Sequence, residues 1–199
     1  MIKNSWDIVG QFEEEVAKFY GSKFGVATDC CTHAIELCLR LIKPTRVSCP
    51  DQTYISVPFT FIKLGLDWEF RSEEWQDFYF VGNTNIIDAA VFWKEGGYIP
   101  GTFMCLSFQF QKHLSLGKGG MILTDSYDDY IQLQKMSCDG RSRANPWAEQ
   151  NITTVGYHYY MTPETAKLGL EKLPSAKETK AKIWTNNNYP FLPRMDAFK

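Results

Sequence analysis

Between Phe24 and Phe70, short β-prone runs alternate with longer segments whose apolar residues recur at helical spacing, and few folds accept that order. FGVATD and TRVSCP read as strands, and DWEF as a third. THAIELCLRLI is apolar at Ala34, Ile35, Cys38, Leu39, Leu41 and Ile42, which lays one stripe of a helix on a core and ends it before Pro44. Ile55 to Leu64 reads as a second such helix, which admits Pro58 only in its first turn. The alternation predicts an α/β fold of three layers, α/β/α, built on a mostly parallel sheet, with ligands collecting at the carboxyl ends of strands.

The flanking segments extend the pattern. Gln11 to Tyr20 reads as a helix stopped by Gly21. FYFVG and NIIDAA are separated by little more than Asn83, Thr84 and Asn85, and parallel neighbours need a crossover of about a dozen residues, so one of the two is irregular or antiparallel. GGMILTD reads as a strand, with Asp125 capping a helix over Tyr127 to Met136. Thr162 and Pro163 form an N-cap and first-turn pair for a helix through about Leu173, ended by Pro174 and resumed from Ser175 to Trp184. The Asn- and Pro-rich end, NNNYPFLPRMDAFK, reads as loop. The expected organisation is one domain over residues 1–185 and a C-terminal tail over 186–199.

Composition narrows the function classes. Hydrophobic residues at 44% of the 199 support a packed core, and a net charge of -2 gives no electrostatic footprint for nucleic acid or an anionic membrane surface. No apolar run approaches the roughly 20 residues that span a bilayer. The six cysteines, Cys30, Cys31, Cys38, Cys49, Cys105 and Cys138, form no CxxC pair and follow no secretory signal, which predicts reduced thiols, no metal centre and a cytoplasmic location.

One stretch then asks for chemistry. SFQFQKHLSLGKGG sets Lys112 between an alternating apolar/polar run and a glycine cluster. A lysine in water is a weak nucleophile because its pKa lies near 10.4, whereas burial or a neighbouring cation raises the neutral fraction and permits a Schiff base. A surface lysine is the plainer reading of that residue taken alone.

Four blocks, taken in order, change that reading. They are FEEEVAKFYGSKFGVATDCCTHAIELCLRLI; CPDQTYISVPFTFIKLGLDWEF; IIDAA with SFQFQKHLSLGKGGMILTD; and GRSR with VGYHYYMTPETAKLGLEKL. Together they resemble the DegT/DnrJ/EryC1/StrS family, the pyridoxal-phosphate (PLP) sugar aminotransferases of fold type I, over most of residues 11–175. The resemblance implies the family's large domain, reduced in size. It assigns Lys112, in the position of a Ser-Phe-x-x-x-Lys-x-Leu motif, as the lysine that attaches the cofactor. It assigns Asp88 as the carboxylate paired with the pyridine nitrogen, which keeps the ring an electron sink. Thr32 at a helix start and Ser107 are implied phosphate ligands, and Tyr54 the aromatic on the cofactor's face. Taken singly, Asp88 reads as a strand-end cap, Thr32 as an N-cap, Ser107 as a strand serine and Tyr54 as a core tyrosine.

The chain also departs from the family. It is much shorter and stops before the second, smaller domain that helps cover the substrate, and Phe70 to Ile86 compresses a longer stretch. Val91 stands where Gln or His contacts the ring hydroxyl. A Gly-Tyr-Asn-x-Arg-Met motif that serves a partner subunit's site reads Gly156 to Met161, with His158 retaining a donor for phosphate across a dimer and Tyr160 unable to replace a cation. Cys31 replaces the small glycine of the phosphate turn. Cys30 and Cys31 also suggest a thiolate at a helix start, with buried structural cysteines as the alternative and no base evident in the sequence. His113, adjacent to Lys112, is expected to point elsewhere.

The resemblance therefore implies transamination from glutamate or glutamine to a nucleotide-linked keto-sugar, in a homodimer. The alternatives are a PLP-binding or dimerising homologue without turnover, and a small phosphate- or nucleotide-binding protein in which Lys112 pairs with phosphate.

Overall fold

The computed structural model describes residues 5–199, so the first four residues of the expected 1–185 domain lie outside the described residues. Helix α1 (Trp6–Tyr20) leads into β1 (Phe24–Thr28), α2 (Cys31–Ile42), β2 (Arg46–Pro50), α3 (Ser56–Leu64) and β3 (Asp67–Arg71). Strands β4 (Tyr79–Phe80), β5 (Ile86–Asp88), β6 (Phe103–Ser107) and β7 (Gly120–Thr124) follow, then α4 (Tyr127–Ser137) and α5 (Pro163–Glu178). The strand and helix segments expected before Phe70 are all present.

The main sheet has five strands in the order β1-β7-β6-β5-β4, and β2 pairs with β3 in a separate parallel ribbon. Successive side chains on a strand face opposite ways, and the core divides accordingly. Ala27, Ile87, Met104, Leu106, Met121 and Leu123 pack with α1 and α5. Val26, Ile86, Phe103, Cys105 and Ile122 pack with α2, α3 and α4. The three-layer α/β/α architecture follows from that period of two.

The sheet is mixed rather than mostly parallel. Only β5 and β6 pair in parallel within it; β1 with β7, β7 with β6, and β4 with β5 are antiparallel. Since β7 is antiparallel to both neighbours, β1, β5 and β6 still run in one direction, and Thr28, Asp88 and Ser107 end at the same edge. The doubt over FYFVG and NIIDAA resolves as an antiparallel pair, Tyr79 opposite Asp88, because the connection is too short for a crossover.

Three local expectations change. Ser126, not Asp125, caps α4, accepting from the Asp129 N–H at 3.3 Å, while Asp125 accepts from the Gly101 N–H. Pro174 lies inside α5 instead of ending it: buried Leu173 and Ala176 hold the last turn in the core formed with α1, which outweighs the backbone hydrogen bond that proline cannot make. Beyond Glu178 no α-helix resumes among the described residues; only single 3-10 turns follow, at Asn186–Asn188, Leu192–Arg194 and Asp196–Phe198. Instead residues 184–189 run back across the molecule, Trp184 O accepting from the Asp77 N–H, the Trp184 N–H donating to Asp77 Oδ1, and Tyr189 O accepting from the Gln52 side chain. All six cysteines are unpaired. Among the described residues, no helix is long and apolar enough to cross a membrane.

Candidate active site

At the shared carboxyl edge of β1, β5 and β6 the chain encloses a cavity of about 410 Å³, within the range of small-molecule sites. Its wall holds Cys31 and Thr32 from the start of α2, Tyr54 from the β2–α3 connection, Ser56 from the start of α3, Asp88 from β5 and Ser107 from β6. Lys112 and Lys118 reach it from the loop between β6 and β7. Of the site residues that the resemblance assigns, Cys31, Thr32, Tyr54, Asp88, Ser107 and Lys112 line this one cavity and His158 does not.

Asp88 is buried at the end of β5, 7% exposed. Its Oδ2 accepts from the Tyr79 hydroxyl at 2.5 Å and its Oδ1 from the Ala90 N–H at 3.0 Å; Tyr79 Oη lies 2.6 Å from Thr53 Oγ1. Burial raises the Asp88 pKa, and the Tyr79 and Ala90 hydrogen bonds and the charge of Lys112 offset only part of that rise. Such a carboxyl holds its charge best when a cation faces it.

Lys112 follows a turn closed by its own N–H to Gln109 O at 2.8 Å. Burial lowers its pKa, opposed by the charges of Asp88 and Cys31. Among the described residues, no carboxylate lies within ion-pair distance of its Nζ, which sits 5.1 Å from the centre of the Trp184 ring. The amine thus lies near an aromatic ring, and the charge of the buried Asp88 carboxyl reaches it. Its lowered pKa increases the nucleophilic form at neutral pH.

Hydroxyls also line the wall. Thr32 Oγ1 lies 2.7 Å from Ser56 Oγ, and Ser107 Oγ accepts from the Gln109 N–H at 3.4 Å. The start of α2 adds N–H groups without partners in the helix itself. Gly120, registered between Thr28 and Ser107, presses against this turn: a Cβ there would meet Cys30 C and Cys31 N at 2.4 and 2.5 Å. The first turn of α2 therefore lies directly against the entrance of β7. The Cys31 side chain turns away, its buried Sγ donating to Cys105 O at 3.4 Å.

Tyr54 is 58% exposed, so it stands at the mouth rather than in the core. Val91 also lines the wall. His158 is not brought in: its side chain is 71% exposed and its Nδ1 lies 3.0 Å from Asp139 Oδ2. His113 bonds the end of α5, its Nε2 lying 2.9 Å from Ala176 O, and takes no part in this cavity. Cys30 does have a histidine nearby, His33, which is held by Asp29 at 2.6 Å.

Several cavity residues were not foreseen. Tyr79 and Thr53 orient Asp88; the short FYFVG–NIIDAA link carried the signal, since a hairpin register sets Tyr79 opposite Asp88. Ser56, Trp75, Trp184 and Tyr189 complete the wall. Trp184 and Tyr189 arrive from the end of the chain, and no local pattern announces that return.

The profile of the DegT/DnrJ/EryC1/StrS aminotransferase family matches residues 2–65 and 94–188, and the chain belongs to that family. The match omits residues 66–93, the stretch that contains Asp88 and the short β4–β5 hairpin. Among solved structures the chain is similar to AtS13 from Actinomadura melliaura, at 18% identity and a TM-score of 0.73, covering 86% of this chain and 60% of that one. It is also similar to the sugar aminotransferase CalS13 from Micromonospora echinospora (16% identity, TM-score 0.68, 86% and 61% covered). A third similar structure is the PLP form of Spr1654 from Streptococcus pneumoniae (18%, 0.70, 86% and 60%). The chain thus spans about 60% of the length of these relatives. No curated protein matches it.

Proposed function

We propose that the chain binds pyridoxal 5'-phosphate and acts as an aminotransferase, moving an amino group from glutamate or glutamine to a nucleotide-linked keto-sugar, as a homodimer. One observation carries the reading: Lys112 and Asp88, far apart in sequence, line the same cavity, the amine without a carboxylate partner and the carboxyl short of a cation. The donor set suits such a cofactor, with a carboxyl for a ring nitrogen, an amine for an aldehyde, and hydroxyls and helix N–H groups for a phosphate.

Bound pyridoxal phosphate supplies an electrophilic aldehyde and an electron sink. Lys112 Nζ, its pKa lowered by burial, would be the group that attaches the cofactor's aldehyde and the base available to move a proton at a substrate α-carbon. Asp88, fixed by Tyr79 and Ala90, keeps the ring nitrogen protonated. Thr32, Ser56 and Ser107, which line the same cavity, would hold the phosphate, and Tyr54 would be available to the ring. Trp184 and Tyr189 line the wall and would exclude water from the bound cofactor.

Titration with pyridoxal phosphate, borohydride reduction and peptide mass analysis test this reading. A visible absorbance band and a pyridoxyl adduct on Lys112, both missing in Lys112→Ala, are the expected result; an adduct spread over surface lysines with none on Lys112 excludes it. A second reading, a cofactor-binding homologue without turnover, is favoured by apolar Val91 in the wall. Glutamate then leaves the bound cofactor in its aldehyde form, whereas a transaminase converts it to the amine.

A further inference from the structure

The cavity wall carries few charges. Among the described residues that line it, Lys112 and Lys118 are the cations and Asp88 the anion. If Lys112 is committed to an aldehyde and Asp88 to a ring nitrogen, one cation remains. Neither Tyr160 nor His158 lines the cavity.

We infer that Lys118 grips the phosphate of the cofactor, leaving its carboxylate partner Asp29 to do so; the inference rests on the reading of the cavity as a pyridoxal-phosphate site. The backbone prepares this position. Gly119 and Gly120 follow Lys118, and the absence of a Cβ at Gly120 lets the β7 entrance lie against the Cys30–Cys31 peptide at the start of α2. The Lys118 side chain therefore starts from the loop that faces the helix N-terminus where Thr32 and Ser56 present their hydroxyls.

The ion pair it makes is easily exchanged. Lys118 Nζ lies 2.9 Å from Asp29 Oδ2, but the lysine side chain is 68% exposed, and exposed pairs contribute little to stability. Asp29 does not lose its only partner when Lys118 leaves, because His33 Nδ1 stays 2.6 Å from the other carboxylate oxygen. A phosphate brings close to two negative charges and three acceptor oxygens, so it competes well with a single carboxylate already shared with His33. Neither a catalytic step nor a folding role is needed of Lys118.

The test compares pyridoxal 5'-phosphate with pyridoxal, which has the same ring and aldehyde and no phosphate. Dissociation constants are read from the absorbance band for the wild type, Lys118→Met, Lys118→Arg and Asp29→Asn, with circular dichroism as the check on folding. Loss of one charge-assisted contact predicts that Lys118→Met weakens pyridoxal phosphate about 10- to 100-fold and leaves pyridoxal within about twofold. Lys118→Arg restores the difference, and Asp29→Asn binds the phosphorylated cofactor no more weakly than the wild type. Equal weakening of both ligands, or unchanged binding of pyridoxal phosphate in a folded Lys118→Met protein, overturns the inference while the cofactor site stands. A wild type that attaches neither ligand at Lys112 overturns the cofactor reading and this inference together.

Discussion

The Tyr79 hydroxyl donates to Asp88 Oδ2 at 2.5 Å from the strand paired with it, in direct register. The tyrosine is itself buried, and burial, then the Asp88 charge, push its own pKa well above the ordinary range, so it remains a donor. Because this bond favours the charged carboxylate, Tyr79→Phe lets burial raise the Asp88 pKa further. Binding of pyridoxal phosphate, measured by absorbance between pH 5 and 9, should therefore lose affinity and keep its acid-side midpoint at a higher pH than in the wild type. Stability should fall by about 1–2 kcal/mol, since Thr53 and Asp88 both lose a buried partner. An unshifted acid midpoint would show that Asp88 is not the group that titrates.

Trp184 bears on the amine in two opposing ways. Its ring face favours the ammonium by about 0.5–1 kcal/mol where such contacts are partly exposed, and its bulk keeps water from Lys112, which favours the neutral amine. Burial is the largest influence on Lys112, so exclusion of water should dominate. Trp184→Ala is expected to raise the Lys112 pKa and slow attachment of pyridoxal phosphate at fixed pH, with the rate–pH curve moved to higher pH. A curve moved the other way would mean that the ring acts chiefly through its π face.

Much of this arrangement was legible in the sequence, and the exceptions share a cause. Lys112, Asp88, Thr32, Ser107 and Tyr54 could be named because each sits in a motif whose spacing survives along the chain, and the structure lines one cavity with all five. The strands and helices up to Phe70 followed from periodicity alone. The mixed sheet did not, because strand direction is decided by partners far away: β7 pairs with β1 across nearly a hundred residues. Trp184 and Tyr189 were hidden for the same reason, since an Asn-rich tail reads as loop wherever it docks. Pro174 misled because a local rule met a buried turn: Leu173 and Ala176 hold the helix that proline alone would have stopped.

Two glycines make a contrast in stability. Gly10 lies inside α1 with nothing within 4 Å of an added Cβ, so Gly10→Ala should stabilise the chain by about 0.5–1 kcal/mol through helix propensity. At Gly120 the added carbon would strike backbone atoms of Cys30 and Cys31, and overpacking of that kind costs about 1–3 kcal/mol or more. Chemical denaturation of both variants checks the signs. Gly120→Ala should also loosen pyridoxal phosphate binding, because the β7 entrance and the start of α2 can no longer lie in contact. Loss of stability with cofactor affinity intact would separate that contact from the phosphate cradle.

His33 supplies a prediction that depends on pH alone. Its ring stacks on Tyr159 at 3.6 Å between centroids, and burial works against its charge, but hydrogen bonds to Asp29 and Cys30 outweigh burial and raise its pKa to about 9. A histidine whose folded pKa exceeds the unfolded value, near 6.5, binds its proton more tightly in the folded chain. The stabilisation is therefore fully present below about pH 6.5 and is lost as the pH rises through about 9. Partial exposure of the pair reduces the gain to about 1–2 kcal/mol. Thermal melts of the wild type and His33→Gln from pH 6 to 10 should show the wild type ahead at the acid end, with the gap closing towards pH 9–10. A gap that stays constant would assign His33 a packing role on Tyr159, and one that widens with pH would reverse the sign of its coupling to Asp29.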